Sequence, residues 1–224
     1  HLQAVGAAVR DTGSDLGIAF DGDADRVLFV DNNGDPVDGD RIMHMLALDL
    51  AARDALDANL VVATVMSNMG LEVSLREHGI TLARTPVGDK YVLEELLRSG
   101  AALGGEQSGH VIFPRISLVG DGIITAVEVL CALERAGSSL GELARRMPHY
   151  PQVLVNVKVR EKRPFADLPE LSAAAAEVER ELEGSGRLLL RYSGTENLAR
   201  VMIEGPDASA IGALADRLAR LIRG

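Results

Sequence analysis

The sequence predicts an α/β chain: a layered α/β portion up to about residue 147, then a small α+β domain over residues 148–224. Two observations predict it. Between residues 60 and 147 short apolar runs alternate with stretches of helical spacing, the pattern of strands and helices stacked in layers. Beyond the breakers Pro148 and Pro151, Val153, Val155, Val157 and Val159 recur with period two, and the elements from there on read β-α-β-β-α.

Taken in order, Leu2, Val5 and Val9 mark an amphipathic helix that Gly13 stops, and "DLGIAF" is a short apolar strand ending at three closely spaced aspartates. In open α/β sheets, ligands bind at such strand ends. "RVLFVDNNGDPVDGD" reads as a strand, an Asn33-Gly34-Asp35 turn and a short return strand, after which Asp40 can cap the helix "RIMHMLALDLAARDAL". "LVVATV", "TLARTPV" and the pair within "AALGGEQSGHVIF" are strands; "LEVSLREHG", "KYVLEELLRSG", "GIITAVEVLCALERAG" and "SLGELARRM" are helices. In the last part a helix runs to about Glu183 and Gly184 stops it. Strands "RLLLRY" and "LARVMIEG" then flank the loop "SGTEN", and a final helix carries an apolar stripe of Ile211, Leu214, Leu218, Leu221 and Ile222.

The 224 residues are 47% hydrophobic, enough for a buried core, and carry a formal charge of -10. That acidity, with no Trp and 3% aromatic content, argues against nucleic acid, which needs basic surface and stacking platforms. No apolar run approaches the roughly 18 residues of a membrane span. The N-terminus lacks a signal peptide's basic start and apolar centre, and the single Cys131 reads as a buried structural thiol, so a cytoplasmic location is expected. His1, opening directly onto a helix and strand, suggests a cut into an existing fold.

Three loops carry candidate chemistry. In "DGDADR", alternate spacing lets Asp21, Asp23 and Asp25 aim three hard oxygen ligands at one point, which suits Mg²⁺. An EF-hand shares the spacing but needs Gly and Glu where Arg26 and Asn32 stand. An aspartyl phosphatase of the haloacid dehalogenase type, with Asp21 as nucleophile, is a second reading, and a solvated acidic turn a third. "RYSGTENLAR" combines the guanidinium groups of Arg191 and Arg200 with the hydroxyls of Ser193 and Thr195 and the amides around Gly194, the parts of a phosphate cradle or of an ordinary hairpin turn. "GGEQSGH" sets Glu106, Ser108 and His110 between glycines, where a backbone can approach a hydroxyl-rich sugar or simply turn between strands. Lys90 in "TPVGDKYV" is an anion contact or a solvated helix start.

Together "DLGIAFDGDADR", "TVMSNMGLE", "RTPVGDKYVLEEL", "GGEQSGH" and "RYSGTENLARVMIEG" resemble, in order and across nearly the whole chain, the α-D-phosphohexomutase family, and within it the bacterial glucosamine-phosphate branch. The resemblance implies the end of a metal-loop domain over residues 1–39, a complete α/β/α sugar-loop domain over 40–147 and a phosphate-binding α+β domain over 148–224. It implies a fragment of an enzyme interconverting glucosamine 6-phosphate and glucosamine 1-phosphate, with Mg²⁺ and glucosamine 1,6-bisphosphate as cofactors. No Ser-His-Asn-Pro type phosphoserine segment is among these residues. By the same resemblance Asp21, Asp23 and Asp25 hold the metal and Arg26 contacts the phosphoserine. His110 stands where proton transfer has been considered. Lys90, Glu106 and Ser108, with Arg191, Ser193, Gly194, Thr195 and Arg200, bind the substrate, and Asn197 replaces the family's usual Pro. The expected partners are the sugar phosphate, the N-terminal phosphoserine region, for which Leu16, Ile18 and Phe20 would form an exposed docking strand, and a second copy in a homodimer. A non-catalytic sugar-phosphate binding module stays open beside these readings.

Overall fold

A computed structural model describes residues 2–223, so the inference resting on His1 lies outside the described residues. The chain forms two compact units, residues 1–148 and 149–224.

Unit 1 opens with α1 (Leu2–Thr12), which buries Gly6 and Val9 and stops at Gly13 in the left-handed region, φ +68°. Next come β1 (Leu16–Phe20), β2 (Val27–Asp31) and β3 (Pro36–Val37), an antiparallel sheet in that order with Phe20 opposite Val27. The aspartate loop is therefore the tip of an antiparallel hairpin rather than the mouth of an open parallel sheet. Of the three residues expected to be exposed on β1, only Phe20 is; Leu16 and Ile18 pack on the main core.

The second sheet has the order β5-β4-β6-β7, built from β4 (Leu60–Thr64), β5 (Thr81–Thr85), β6 (Leu103–Gly105) and β7 (Val111–Ile112). β4 pairs in parallel with β5 and β6, and β7 runs antiparallel to β6. Side-chain alternation splits β4 between two cores: Val61 and Ala63 face one, and Val62 faces the other. The first core takes Met43 and Leu46 of α2 (Gly39–Ala52), Leu71 and Leu75 of α3 (Met69–Glu77) and Val129 of α5 (Gly122–Ala136). The other takes Val92 and Leu96 of α4 (Asp89–Ser99). Covering both faces is what a mostly parallel sheet requires, and it makes the α/β/α layering expected from the sequence. The short α6 (Leu140–Ala144) closes the unit with a capping box between Ser139 and Glu142.

Three local expectations need correction. Asp38, not Asp40, caps α2: its carboxylate accepts from Arg41 N at 3.1 Å, because Gly39 N is already spent on Gln107 O and helical geometry starts there. Cys131 is half-buried rather than buried. Leu221 falls on the exposed side of the last helix's stripe, whereas Ile211 and Leu218 are buried.

Unit 2 contains β8 (Gln152–Lys158), α7 (Pro169–Glu181), β9 (Arg187–Tyr192), β10 (Leu198–Glu204) and α8 (Ala208–Arg223), the β-α-β-β-α order, as an antiparallel sheet β8-β10-β9. One face of the sheet presents Val153, Val155, Val201, Ile203, Leu188 and Leu190 to both helices. Period-two alternation then puts Arg191 and Arg200 on the other face.

Candidate active site

The β1–β2 loop closes on itself. Asp21 N donates to Arg26 O and Ala24 N to Asp21 O, both at 3.3 Å, and Ala24 sits in the left-handed region at φ +58°. An alanine there is strained, and Gly122 at the start of α5 holds it by donating its N–H to Ala24 O at 2.9 Å. The result gathers one oxygen each from Asp21, Asp23 and Asp25 within 4.8 Å of one another. Arg26 is the local counter-charge: its Nε lies 2.8 Å from Asp21 Oδ2 and 3.5 Å from Asp25 Oδ1. For Asp21, desolvation pushes the pKa up, but the Arg26 backbone N–H on Oδ1, the bond with Asp25 and the Arg26 charge outweigh it and hold the carboxyl below its usual range. The Asp21 charge in turn raises the pKa of Arg26.

Asp21 Oδ2 and Asp25 Oδ1 are both buried, and the Arg26 guanidinium is the cation they face. Three carboxylates around one guanidinium remain a cluster of hard oxygen donors with net negative charge, which fits a divalent cation of the Mg²⁺ type.

The Gly-rich loop between β6 and β7 lies directly against this hairpin. Gly109 O accepts from Val27 N at 3.1 Å, and Glu106 N donates to His110 O at 2.8 Å. Gly109 has φ +93°, and a Cβ there would stand 2.2 Å from Val27 O, so only glycine allows the approach. His110 is buried and its Nδ1 lies 3.1 Å from Asp25 Oδ2, joining the two loops through side chains as well. Its Nε2 has no partner, and the ring is packed so closely on Gly120 that a Cβ there would be 2.2 Å from it. Glu106 Oε1 accepts from Gly88 N at 3.1 Å, and Ser108 Oγ donates to Glu106 Oε2 at 3.4 Å. Lys90, two residues beyond Gly88 on the first turn of α4, is exposed and pairs with Glu94 at 3.7 Å. Beside the loops a hollow of about 800 Å³ is lined by Phe20, Asp21, Arg26, Ser108 and Arg10, among others.

In unit 2, Arg191 and Arg200 are direct cross-strand partners. Burial and then the Arg200 charge lower the Arg191 pKa, as expected of two like charges held together. Arg200 Nε is buried without a hydrogen-bond partner, and Glu196 lies 3.7 Å from its guanidinium. Ser193 is buried, bonded through its N–H to Leu198 O at 2.8 Å and accepting at Oγ from Glu196 N at 3.3 Å, whereas Gly194 and Thr195 are exposed. Lys162 Nζ donates to Ser193 O at 2.7 Å, a contact that nothing in the local sequence signals.

Unit 1 thus gathers Asp21, Asp23, Asp25, Arg26, Glu106, Ser108 and His110, with Lys90's loop tied in through Gly88; unit 2 gathers Arg191, Ser193, Gly194, Thr195 and Arg200. The residues that sequence reading passed over are Ala24, Gly39, Gly120 and Gly122, which shape the backbone. The Gly120-Asp121-Gly122 run before α5 is the one signal that could have revealed two of them.

Comparison with known proteins bears on the same loops. Family models match residues 1–34, 38–150 and 154–221, described as phosphoglucomutase/phosphomannomutase α/β/α domain II, α/β/α domain III and C-terminal domain. A phosphoglucosamine mutase of Symbiobacterium thermophilum is 53% identical over 223 residues, all of this chain and 50% of that protein. A phosphoglucomutase/phosphomannomutase family protein of Burkholderia thailandensis superposes with TM-score 0.80 at 24% identity, over 99% of this chain and 49% of its own. Aspergillus fumigatus N-acetylphosphoglucosamine mutase, in complex with GlcNAc-6P and magnesium, superposes with TM-score 0.73 at 25% identity, over 92% of this chain and 52% of its own. The chain spans about half the length of the curated relatives it matches.

Proposed function

The chain belongs to the phosphoglucomutase/phosphomannomutase family, and we propose that it supplies the metal, sugar and phosphate loops of a phosphoglucosamine mutase interconverting glucosamine 6-phosphate and glucosamine 1-phosphate. The observation that carries this reading is the joining of two loops: the three-carboxylate hairpin with Arg26, bonded by its backbone to the Gly-Glu-Gln-Ser-Gly-His turn. The 53% identity to a phosphoglucosamine mutase supports the amino-sugar substrate. In domain terms, residues 1–39 end the metal-loop domain, 40–147 form the sugar-loop domain and 148–224 the phosphate-binding domain.

In this reading a serine phosphate from the N-terminal region gives its phosphoryl group to the free sugar hydroxyl. Glucosamine 1,6-bisphosphate forms, turns over, and returns its other phosphoryl group to the serine. Asp21, Asp23 and Asp25 would hold Mg²⁺, which offsets charge on the phosphoryl group in flight. Arg26 faces the serine phosphate as a second positive charge. Glu106 and Ser108 accept and donate to sugar hydroxyls, with Lys90 nearby for an anion. Arg191 and Arg200, with Ser193, Thr195 and the amide of Gly194, hold the phosphate that does not react. His110, buried against Gly120 and bonded to Asp25, suits orienting that ligand more than shuttling a proton to solvent. The aspartyl-phosphatase reading is disfavoured, since backbone and guanidinium of Arg26 occupy both oxygens of Asp21.

These residues hold no phosphoserine segment, so turnover requires the region that carries one; that region and the sugar phosphate are the assigned partners, with a homodimer a separate expectation. Within the described residues no helix is long and apolar enough to cross a membrane, and the lone cysteine supports a reducing, cytoplasmic setting. The test is ³¹P NMR of glucosamine 6-phosphate with the chain and Mg²⁺. The substrate signal should broaden without conversion, and Asp21→Asn should weaken Mg²⁺ binding by at least roughly tenfold in calorimetry. Release of inorganic phosphate, abolished by the same substitution, would establish the phosphatase instead; no response of the substrate signal would remove the mutase reading.

A further inference from the structure

Far along α5 from the metal loop, unit 1 carries a second cavity that the proposed mutase chemistry does not use. Gly122, which touches the hairpin, and Ala136 are the two ends of α5, so at 1.5 Å per residue they stand about 20 Å apart. At the Ala136 end, α2, α5 and α6 enclose a cavity of about 270 Å³, near the lower end of the range for small-ligand sites. Its walls are apolar at Leu48, Ala132 and Leu143 and charged at Arg53, Arg135 and Arg146.

The charges do not cancel. Asp49 is the carboxylate of the lining, and it is bonded at once by Arg135, at 2.7 and 2.8 Å, and by Arg53, at 3.1 and 2.9 Å. Partial burial pushes the Asp49 pKa up, but the two guanidinium groups outweigh this, so it stays ionised and below the usual range. The Arg146 side chain forms no ion pair or hydrogen bond among the described residues; only its backbone N–H is bonded, to Leu143 O at 3.2 Å. Glu142, whose carboxyl feels the Arg146 charge, is taken up by the N–H and hydroxyl of Ser139. Three guanidinium groups against one carboxylate leave the cavity positive.

His44 adds a polar group in the wall. It is 1% exposed, its Nε2 shares a 2.8 Å hydrogen bond with Ser74 Oγ, and its Nδ1 has no partner. Burial first, then the neighbouring His78 and Arg146, pushes its pKa down to about 4, so the ring is neutral at physiological pH. A neutral imidazole bonded to a hydroxyl can carry its proton on either nitrogen. When Ser74 donates to Nε2, Nδ1–H becomes a donor with nothing to receive it. A buried orphan of this kind calls for a ligand or a water.

We propose that this cavity is a second binding site, for a small oxyanion on a compact apolar body, with Arg146 meeting the charge, His44 Nδ1–H donating to it and Leu48 and Leu143 packing on the body. The head group is a carboxylate or a phosphate monoester. An occupant would select the Nδ1–H tautomer of His44, a change visible in the ring ¹⁵N shifts.

The test is methyl and ¹⁵N NMR of the chain titrated with benzoate, with phenyl phosphate and with benzyl alcohol as neutral control. At least one anion should shift the methyl signals of Leu48 and Leu143 and move His44 to the Nδ1–H tautomer; which anion binds more tightly decides the head group. Benzyl alcohol should bind at least about tenfold more weakly, and Arg146→Ala, at an exposed side chain, should cost the anion about tenfold. Ala52→Trp, on the exposed rim, should abolish the shifts by filling the mouth. No shift with either anion, equal binding of the alcohol, or shifts that survive both substitutions would each overturn the proposal. Shifts confined to the aspartate hairpin would overturn it too, because they report the metal loop alone.

Discussion

The loops of unit 1 and the loop of unit 2 are prepared for ligands in opposite ways. The aspartate hairpin and the Gly-rich turn are joined backbone to backbone from Val27 to Gly109; the turn closes on itself from Glu106 to His110 and bonds α2 through Gln107 and Gly39, and the hairpin bonds α5 through Ala24 and Gly122. Glycines stand wherever a Cβ would strike a carbonyl or a ring. The 193–197 loop is tied at its base, its tip is exposed, and strand register sets its two flanking guanidinium groups side by side. In the first region geometry is stored in close main-chain packing; in the second it is stored in charge, held against repulsion until an anion offsets it.

The largest effect should come from adding one methyl group to the joined region. Gly109→Ala forces a left-handed residue to carry a Cβ 2.2 Å from Val27 O, with no flexible side chain to give way. Strain and overpacking together should cost unit 1 about 3 kcal/mol or more. Amide hydrogen exchange should show loss of protection in residues 27–31 and 103–112 and no change in 187–204. The same substitution at Gly194, where a Cβ meets nothing within 4 Å, should leave stability within about 0.5 kcal/mol. Comparable losses at the two glycines would erase the distinction.

That contrast also explains what could be read from sequence. The strands and helices were legible because burial imposes period two on β8 and helical spacing on α1 and α8. The ligand-facing residues were legible because three aspartates, or two arginines around Ser-Gly-Thr, are costly to gather without a counter-ion. The residues that shape the backbone were not. Ala24 in the left-handed region looks like any alanine, and Gly120 and Gly122 matter through contacts with His110 and Ala24 that are distant in sequence. Asp38 and Asp40 were indistinguishable as caps until a bond from Gly39 to Gln107, sixty-eight residues away, set where α2 begins. The exposure of Cys131 and Leu221 likewise depends on which neighbours are present, not on local pattern.

Asp40 gives the next effect in size, and a pH test of the joined region. It is fully buried, and one oxygen accepts from Asn68 N at 2.8 Å. Burial is the largest influence and raises its pKa to about 7; the Asn68 bond works against this, and the charge of Asp38 adds to it. A carboxyl with a raised folded-state pKa keeps its proton where the unfolded chain has lost one. Folding is therefore favoured at low pH, and this contribution is lost as pH rises from about 4 through 7. At about 1.4 kcal/mol per unit the change reaches a few kcal/mol. Asp40→Asn keeps an acceptor for Asn68 and removes the charge, so unit 1 should melt higher at pH 8 than the parent while matching it near pH 4. A variant whose stability follows the parent across that range would show that Asp40 does not titrate with folding.

The smallest change in stability, with a clear change in binding, should come from Arg200→Gln. On the same face of the same sheet, Arg187 and Glu204 form a close cross-strand ion pair at 2.6 Å, whereas Arg191 and Arg200 oppose like with like. Directly opposed like charges destabilise a sheet, while the ion pair of Arg200 with Glu196 is long and solvent-exposed at the glutamate. Removing the Arg200 charge therefore relieves Arg191 about as much as it loses, and unfolding should move by no more than about 0.5 kcal/mol in either direction. Inorganic phosphate affinity should fall about tenfold, since a charge-assisted bond is lost and Arg191 is left without the second guanidinium that shares the anion. A clear loss of stability with phosphate affinity intact would mean that Arg200 serves the sheet, and that unit 2, like unit 1, keeps its geometry in packing rather than in charge.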